Sequence, residues 1–288
     1  MISDVDGLPV YYESFGEGRP IVFLPGWGNA NGEGRDVHEP VFAGREGWRR
    51  IYLDPPGTGN TPSRPWIEDQ DGMLDVIARA IDKVVGPARS GIGSAQSRLE
   101  PDYLAVEPDH LAVGSGDLAV GSGRFAVVGT SAGGLHARGL VRRDPARIMG
   151  MLLRVPGVVV DRAARRLPEY QDLGPQFQEA SEQKQAKYYD PAEQQADLEF
   201  LSAIQSDVTK YGLSGDLRVR LEAPTLIVTG RQDVMTGYAD AWALLDDYPR
   251  ATYAVLDLAD HDLPVVNHGL YQALVSDWLD RMEAADAP

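Results

Sequence analysis

The chain has 288 residues, is 43% apolar, contains no cysteine and carries a formal net charge of −16. Its apolar share suffices for one large α/β domain or two small ones, and the lack of cysteine excludes disulfides, thiolate metal sites and cysteine nucleophiles. The acidic balance, with no Lys/Arg cluster, argues against a nucleic-acid partner and against an anionic membrane surface. No apolar run approaches the ~18 residues needed to span a bilayer. The stretch Met1 to Asp6 lacks the basic and apolar regions of a signal peptide, so a cytoplasmic location is expected.

Val10 to Phe15 and Ile21 to Leu24 read as two short strands joined hairpin-fashion through Gly16 to Pro20. The second ends in Pro25-Gly26-Trp27-Gly28, and residues 30–47 read as a loop. Arg49 to Leu53 reads as a third strand, followed by Asp54-Pro55-Pro56-Gly57-Thr58-Gly59, a turn too proline-rich for a helix. From Asp71 to Val85 the residues Leu74, Ile77, Ile81, Val84 and Val85 recur at helical spacing, and Gly86-Pro87 stops them. A Leu/Phe-Ala-Val triplet then recurs every seven residues, at 104, 111, 118 and 125. Gly114-Ser115-Gly116 and Gly121-Ser122-Gly123 would break a helix there, so the repeat reads as strand-like duplication. Residues 98–123 are therefore expected to form an insertion in the core. It would enter the N-terminal end of the next strand, away from the ligand end of the sheet, and be dispensable.

The last copy of the triplet opens Phe125 to Val128, a buried strand that runs into Gly129-Thr130-Ser131-Ala132-Gly133. A helical pattern with Leu135, Leu140 and Val141 follows. A serine on so sharp a strand-to-helix turn needs small neighbours two residues away on each side. The turn would expose its hydroxyl beside the positive end of the helix. The bland alternative is a glycine-rich turn with a solvated serine, against which the flanking strand and helix count.

Further strands are expected at Ile148 to Val155, Pro224 to Thr229 and Thr252 to Leu256. Helices are expected around Tyr238, Ala241, Trp242 and Leu245, and around Leu270, Leu274, Val275 and Trp278. This alternation predicts an α/β fold with a mostly parallel twisted sheet and helices on both faces. Residues 160–221 are Gln- and Glu-rich and read as helices without strands. Asp190-Pro191-Ala192-Glu193 resembles a helix start, and Leu198, Leu201, Ile204, Val208 and Tyr211 form one apolar stripe. The segment is expected to be a cap over the ligand end, the alternative being ordinary crossover helices.

A serine hydroxyl becomes a useful nucleophile only when a base takes its proton, and that base is usually a histidine oriented by a carboxylate. The chain has histidines at 38, 110, 136, 261 and 268. The opening strands, Pro25-Gly26-Trp27-Gly28, the Asp54 to Gly59 turn, the Gly129 to Gly133 elbow, Asp233 and His261 together resemble the α/β-hydrolase superfamily over nearly the full length. The resemblance implies that residues 1–159 and 222–288 form the core and that Ser131, His261 and Asp233 form a catalytic triad. It also implies an oxyanion hole from the backbone N–H groups of Trp27 and Ala132. Pro25-Gly26 stands where many relatives have His-Gly, and Asp260 where they often have Gly. Asp260 and Asp262 flank His261, and a carboxylate near the ring would favour the imidazolium.

His268, at the start of the closing helix, is the alternative base, and Asp240 the weaker acid; His136 reads as a packing residue. The implied activity is hydrolysis of a carboxylic ester or lactone through an acyl-enzyme. It would need no cofactor or metal and would act on a small-molecule substrate. Amide or carbon–carbon bond hydrolysis would use the same residues, and a non-hydrolytic cyclase or ligand-binding protein would share the fold. Gly26-x-Gly28 after a strand, with Asp54 ending the next, also mimics an NAD(P) fingerprint. Its third glycine is at 32, out of register, and no helical pattern follows at once.

Overall fold

Asp6 and Gly7 both have positive φ, 51° and 79°, which is the two-residue turn whose twist suits a tight hairpin. They join β1 (Ile2–Val5) to β2 (Leu8–Phe15) in an antiparallel pair. The structure, a computed structural model, describes residues 1–87 and 123–285. The remaining strands are β3 (Arg19–Leu24), β4 (Trp48–Leu53), β5 (Phe125–Thr130), β6 (Ile148–Arg154), β7 (Thr225–Gly230) and β8 (Ala251–Leu256). One eight-stranded sheet results, in the order β1-β2-β4-β3-β5-β6-β7-β8, and β3 to β8 are mutually parallel.

The order reverses at β3, which has β4 on one side and β5 on the other. In open parallel sheets that reversal leaves a crevice at the carboxyl ends of the strands. Every residue of β6 and β7 is buried, because helices cover both faces. On one face Leu74, Ile77 and Ile81 of α2 (Gln70–Val85) and Leu140 and Val141 of α3 (Ala132–Arg143) pack on the sheet. On the other, Tyr271, Val275, Trp278 and Leu279 of the C-terminal helix (His268–Ala285) pack with Trp48 and Phe42.

Five local expectations need correction. β2 and β3 do not form a hairpin: β4 lies between them, so the pairing is decided by the sheet and not by the short link. The loop expected at 30–47 contains α1 (Gly32–His38) and a 3₁₀ turn at Glu39–Phe42, and tertiary packing of Phe42 stabilises what the glycines weaken. Around residue 241 there is a short 3₁₀ segment, Ala241–Asp246, with Trp242 exposed. The helix start expected at Asp190 is not one. A π-helical turn, Gln185–Tyr189, carries α4 (Pro175–Lys184) directly into α5 (Asp190–Gln195).

The stripe from Leu198 to Tyr211 is also divided between two helices, α6 (Leu198–Gln205) and α7 (Val208–Tyr211). Asp197 and Asp207 cap them by accepting from the N–H groups of Phe200 and Thr209. Helices α4 to α7 thus form a helical insertion between β6 and β7, as the Gln- and Glu-rich composition predicts. The C-terminal helix is α8. Among the described residues no helix is long and apolar enough to cross a membrane.

The last copy of the seven-residue repeat opens β5, whereas the 98–123 insertion that holds the other three lies outside the described residues apart from Gly123. Its flanks are held together by Arg147, which donates to Gly123 O and to Gly86 O, both at 2.7 Å, and also binds Asp82. Both flanks therefore sit at the end of β5 opposite Ser131. Deleting residues 98–120 is expected to leave the melting temperature and any catalytic turnover close to those of the full chain. Lost turnover in a folded deletion variant would refute this.

Candidate active site

Ser131 stands between β5 and α3 with φ 52° and ψ −115°, a conformation non-glycine residues seldom adopt. Its backbone is fixed on both sides. The N–H donates to Arg154 O at 2.9 Å, and the carbonyl accepts from Gly134 and Gly157 at 3.0 and 3.2 Å. A β-carbon on Gly129 would come within 2.3 Å of Gly133 O, and one on Gly133 within 2.3 Å of Leu24 O. Backbone meets backbone at both positions, so the two glycines are a steric requirement of the turn.

The loop after β8 carries His261, whose Nε2 lies 3.0 Å from Ser131 Oγ. The loop after β7 carries Asp233, whose Oδ2 lies 3.1 Å from His261 Nδ1. Asp233 is fully buried. Its Oδ1 accepts from the N–H groups of Met235 and Thr236 at 2.8 and 2.9 Å, and its Oδ2 accepts from Thr236 Oγ1 at 2.6 Å. Burial alone would raise this carboxyl, but the hydrogen bond and charge of His261, with the Thr236 donors, win and hold its pKa at about 2. An ionised carboxylate can only accept, so the His261 proton belongs on Nδ1 and the Nε2 lone pair faces the serine hydroxyl. Thr236 was not singled out in the sequence. Its signal is the Asp-x-x-Thr spacing, which lets one aspartate bind the backbone and hydroxyl three residues on.

Trp27 follows β3 and Ala132 opens α3. Both line the same cavity as Ser131 and His261. As the first residue of a helix, Ala132 has an N–H without an intrahelical acceptor. A β-carbon on Gly26 would lie 3.5 Å from Ser131 Cβ, so the loop after β3 passes beside the serine. The cavity holds about 750 Å³. Val159, Val160, Leu198, Leu201 and Val208 give it an apolar wall, and the Trp27 indole meets the Tyr211 ring edge-on at 5.0 Å.

No protein-family model and no curated protein matches the sequence. Solved structures do. An α/β superfamily hydrolase from Oenococcus oeni PSU-1 superposes with a TM-score of 0.74 at 20% identity, over 95% of this chain and 96% of its own. A proline iminopeptidase-related protein from Thermus thermophilus gives 0.69 at 16% identity, over 98% and 97%. An N-acyl homoserine lactone degrading enzyme gives 0.63 at 19% identity, over 96% and 98%. The chain has the α/β-hydrolase fold.

Within this α/β-hydrolase fold the other sequence candidates lie elsewhere. His268 is the first residue of α8. Asp240 accepts from the backbone and guanidinium of Arg166. His136 is buried with Nε2 2.6 Å from Gln70 Oε1, and burial depresses its pKa to about 4. Asp54 accepts from the N–H groups of Asn31 and Asn60, tying its own turn to the loop after β3. Asp260 accepts from the Asp262 N–H, and Asp262 from Ser181, so both carboxylates have partners other than the His261 ring. Among the described residues no group of three or more His, Asp or Glu is placed to hold a metal ion.

These buried groups set a two-stage response to acid. His38, like His136, is buried with its pKa lowered from 6.5 to about 4, chiefly by burial. Unfolding lets both rings take protons, so their contribution to stability is complete above pH 6.5 and lost as pH falls through 4. Asp233 and Glu33 are held at about 2, below their ordinary 3.8 and 4.5. Their contribution is complete above those ordinary values and lost on approaching pH 2. Melting temperature is expected to drop between pH 7 and 4 and again below 4. His136→Gln should flatten only the first step; a pH-independent melting temperature from 7 to 4 would contradict the assignment.

Proposed function

We propose that the protein is a serine hydrolase that cleaves small carboxylic esters or lactones through an acyl-enzyme. The observation that carries this reading is the pair of contacts on one imidazole: Ser131 Oγ at Nε2 and Asp233 Oδ2 at Nδ1. In the first half-reaction Ser131 Oγ attacks the carbonyl carbon as its proton passes to His261 Nε2. The carbonyl oxygen becomes an oxyanion, for which the backbone N–H groups of Trp27 and Ala132 are the proposed donors. When the tetrahedral intermediate collapses, the carbon–oxygen bond to the alcohol breaks and His261 returns the proton to the leaving alkoxide. Water, deprotonated by the same ring, then attacks the acyl carbon; the bond to Ser131 Oγ breaks, His261 returns the proton to that oxygen, and the acid is released. Asp233 keeps the ring in the required tautomer and stabilises the imidazolium throughout.

The helices α4 to α7 act as a lid whose inner side supplies the apolar cavity wall. That wall supports an aliphatic or aromatic group on the substrate. The lactone-degrading enzyme among the structural neighbours is consistent with a cyclic ester. The test is a chain-length series of p-nitrophenyl esters and γ-lactones with Ser131→Ala as control. Turnover that rises with acyl length and vanishes in the control is expected. No turnover of any member, together with no labelling of Ser131 by a fluorophosphonate, would reject the reading.

A further inference from the structure

Six residues from five separate segments form one connected polar chain around the site. Arg154, at the end of β6, donates from Nε to Thr130 Oγ1 at 3.1 Å and from Nη1 to Glu33 Oε1 at 2.9 Å, with Nη2 on Glu33 Oε2. Lys184, the last residue of α4, sets its ammonium 2.9 Å from Glu33 Oε1 and donates to Asp262 O. Ser181, three residues earlier on α4, adds a contact to Asp262 Oδ2 at 3.4 Å. Thr130 immediately precedes Ser131, and Asp262 immediately follows His261. The connected chain therefore begins one residue before the hydroxyl and ends one residue after the imidazole.

Three of its charged members, Glu33, Arg154 and Lys184, are each more than nine-tenths buried. Burial would raise the Glu33 carboxyl, but the two cations overcome it, so the cluster stays ionised at Glu33. Buried ion pairs seldom stabilise a fold more than apolar residues of equal volume. What such a cluster does supply is a fixed arrangement of the elements it joins. Arg154 and Glu33 belong to β6 and α1 and satisfy one another within the core. Lys184 brings the helical insertion into the buried charge cluster and, together with Ser181, ties it to the His261 loop.

We infer that Lys184 is a positioning residue. It holds the backbone at Asp262 so that His261 stays within reach of Ser131, and it makes that geometry depend on the insertion being seated. The inference rests on reading Ser131 and His261 as nucleophile and base. The alignment is sensitive, because a displacement of about 1 Å in a reacting pair can cost about 100-fold in rate. Removing the ammonium leaves Glu33 paired one-to-one with Arg154, so no buried charge is stranded and the fold should survive.

The test compares wild type with Lys184→Met, Lys184→Arg and, on the exposed side of the same segment, Lys187→Met. Hydrogen–deuterium exchange is read over residues 257–267, and kcat and KM are read with p-nitrophenyl acetate. Lys184→Met is expected to raise exchange in that loop about tenfold and to lower kcat about 10- to 100-fold, with KM within about twofold. Lys184→Arg should recover most of both effects, and Lys187→Met should change neither. Unchanged loop exchange in a folded Lys184→Met protein overturns the inference, as does a loss confined to KM. If Lys184→Met does not fold, Lys184→Gln is read by the same criteria. Raised exchange with an inactive wild type would leave the positioning role standing and reject the hydrolase reading alone.

Discussion

Ser131→Ala is expected to lower kcat for a p-nitrophenyl ester about 10⁴- to 10⁶-fold, with little change in substrate affinity. The hydroxyl is the only atom removed. The strained backbone at residue 131 is held by the Arg154, Gly134 and Gly157 contacts, which alanine keeps. The melting temperature should therefore move by no more than about 3 °C. Steady-state turnover, fluorophosphonate labelling and a thermal melt on one preparation read all three quantities. A folded variant that retains a tenth of wild-type activity would remove Ser131 from the chemistry.

Asp233→Asn should be nearly as damaging, about 10³- to 10⁴-fold in kcat. The reason lies in the partners of the carboxylate. Oδ1 faces two backbone donors, Met235 N–H and Thr236 N–H, so an asparagine must keep its carbonyl oxygen there. Its NH₂ then points at His261 Nδ1. The ring can accept that bond only by moving its own proton to Nε2, where it faces Ser131 and no lone pair remains to take the hydroxyl proton. The side chain is isosteric and the fold should persist. Activity close to wild type would shift the acid's role to another carboxylate, Asp240 being the nearest in sequence.

Much of this architecture is legible in the sequence because it is enforced locally. The Gly129-x-Ser131-x-Gly133 spacing follows from backbone contacts that no side chain could share, and the runs in β5, β6 and β7 are continuous because both faces are covered. What was not legible depends on distant contacts. Whether β2 pairs with β3 or β4 is decided across the sheet. The helix α1 contains two glycines in seven residues and is held by packing around it. The split between α6 and α7 turns on Asp207, a cap that hides inside a good apolar stripe. Thr236 could have been found from its offset to Asp233. Glu33, Arg154 and Lys184 could not, because nothing in their local sequence announces that three charges more than nine-tenths buried will meet.

The grip of Arg147 on Gly86 and Gly123 has a practical corollary. Those two glycines lie side by side, separated from the serine by the six-residue length of β5, about 20 Å. That pair of neighbouring positions is a ready-made insertion point for protein engineering. A fluorescent reporter or affinity module spliced between them would ride on the far pole of the molecule and leave the mouth of the cavity open.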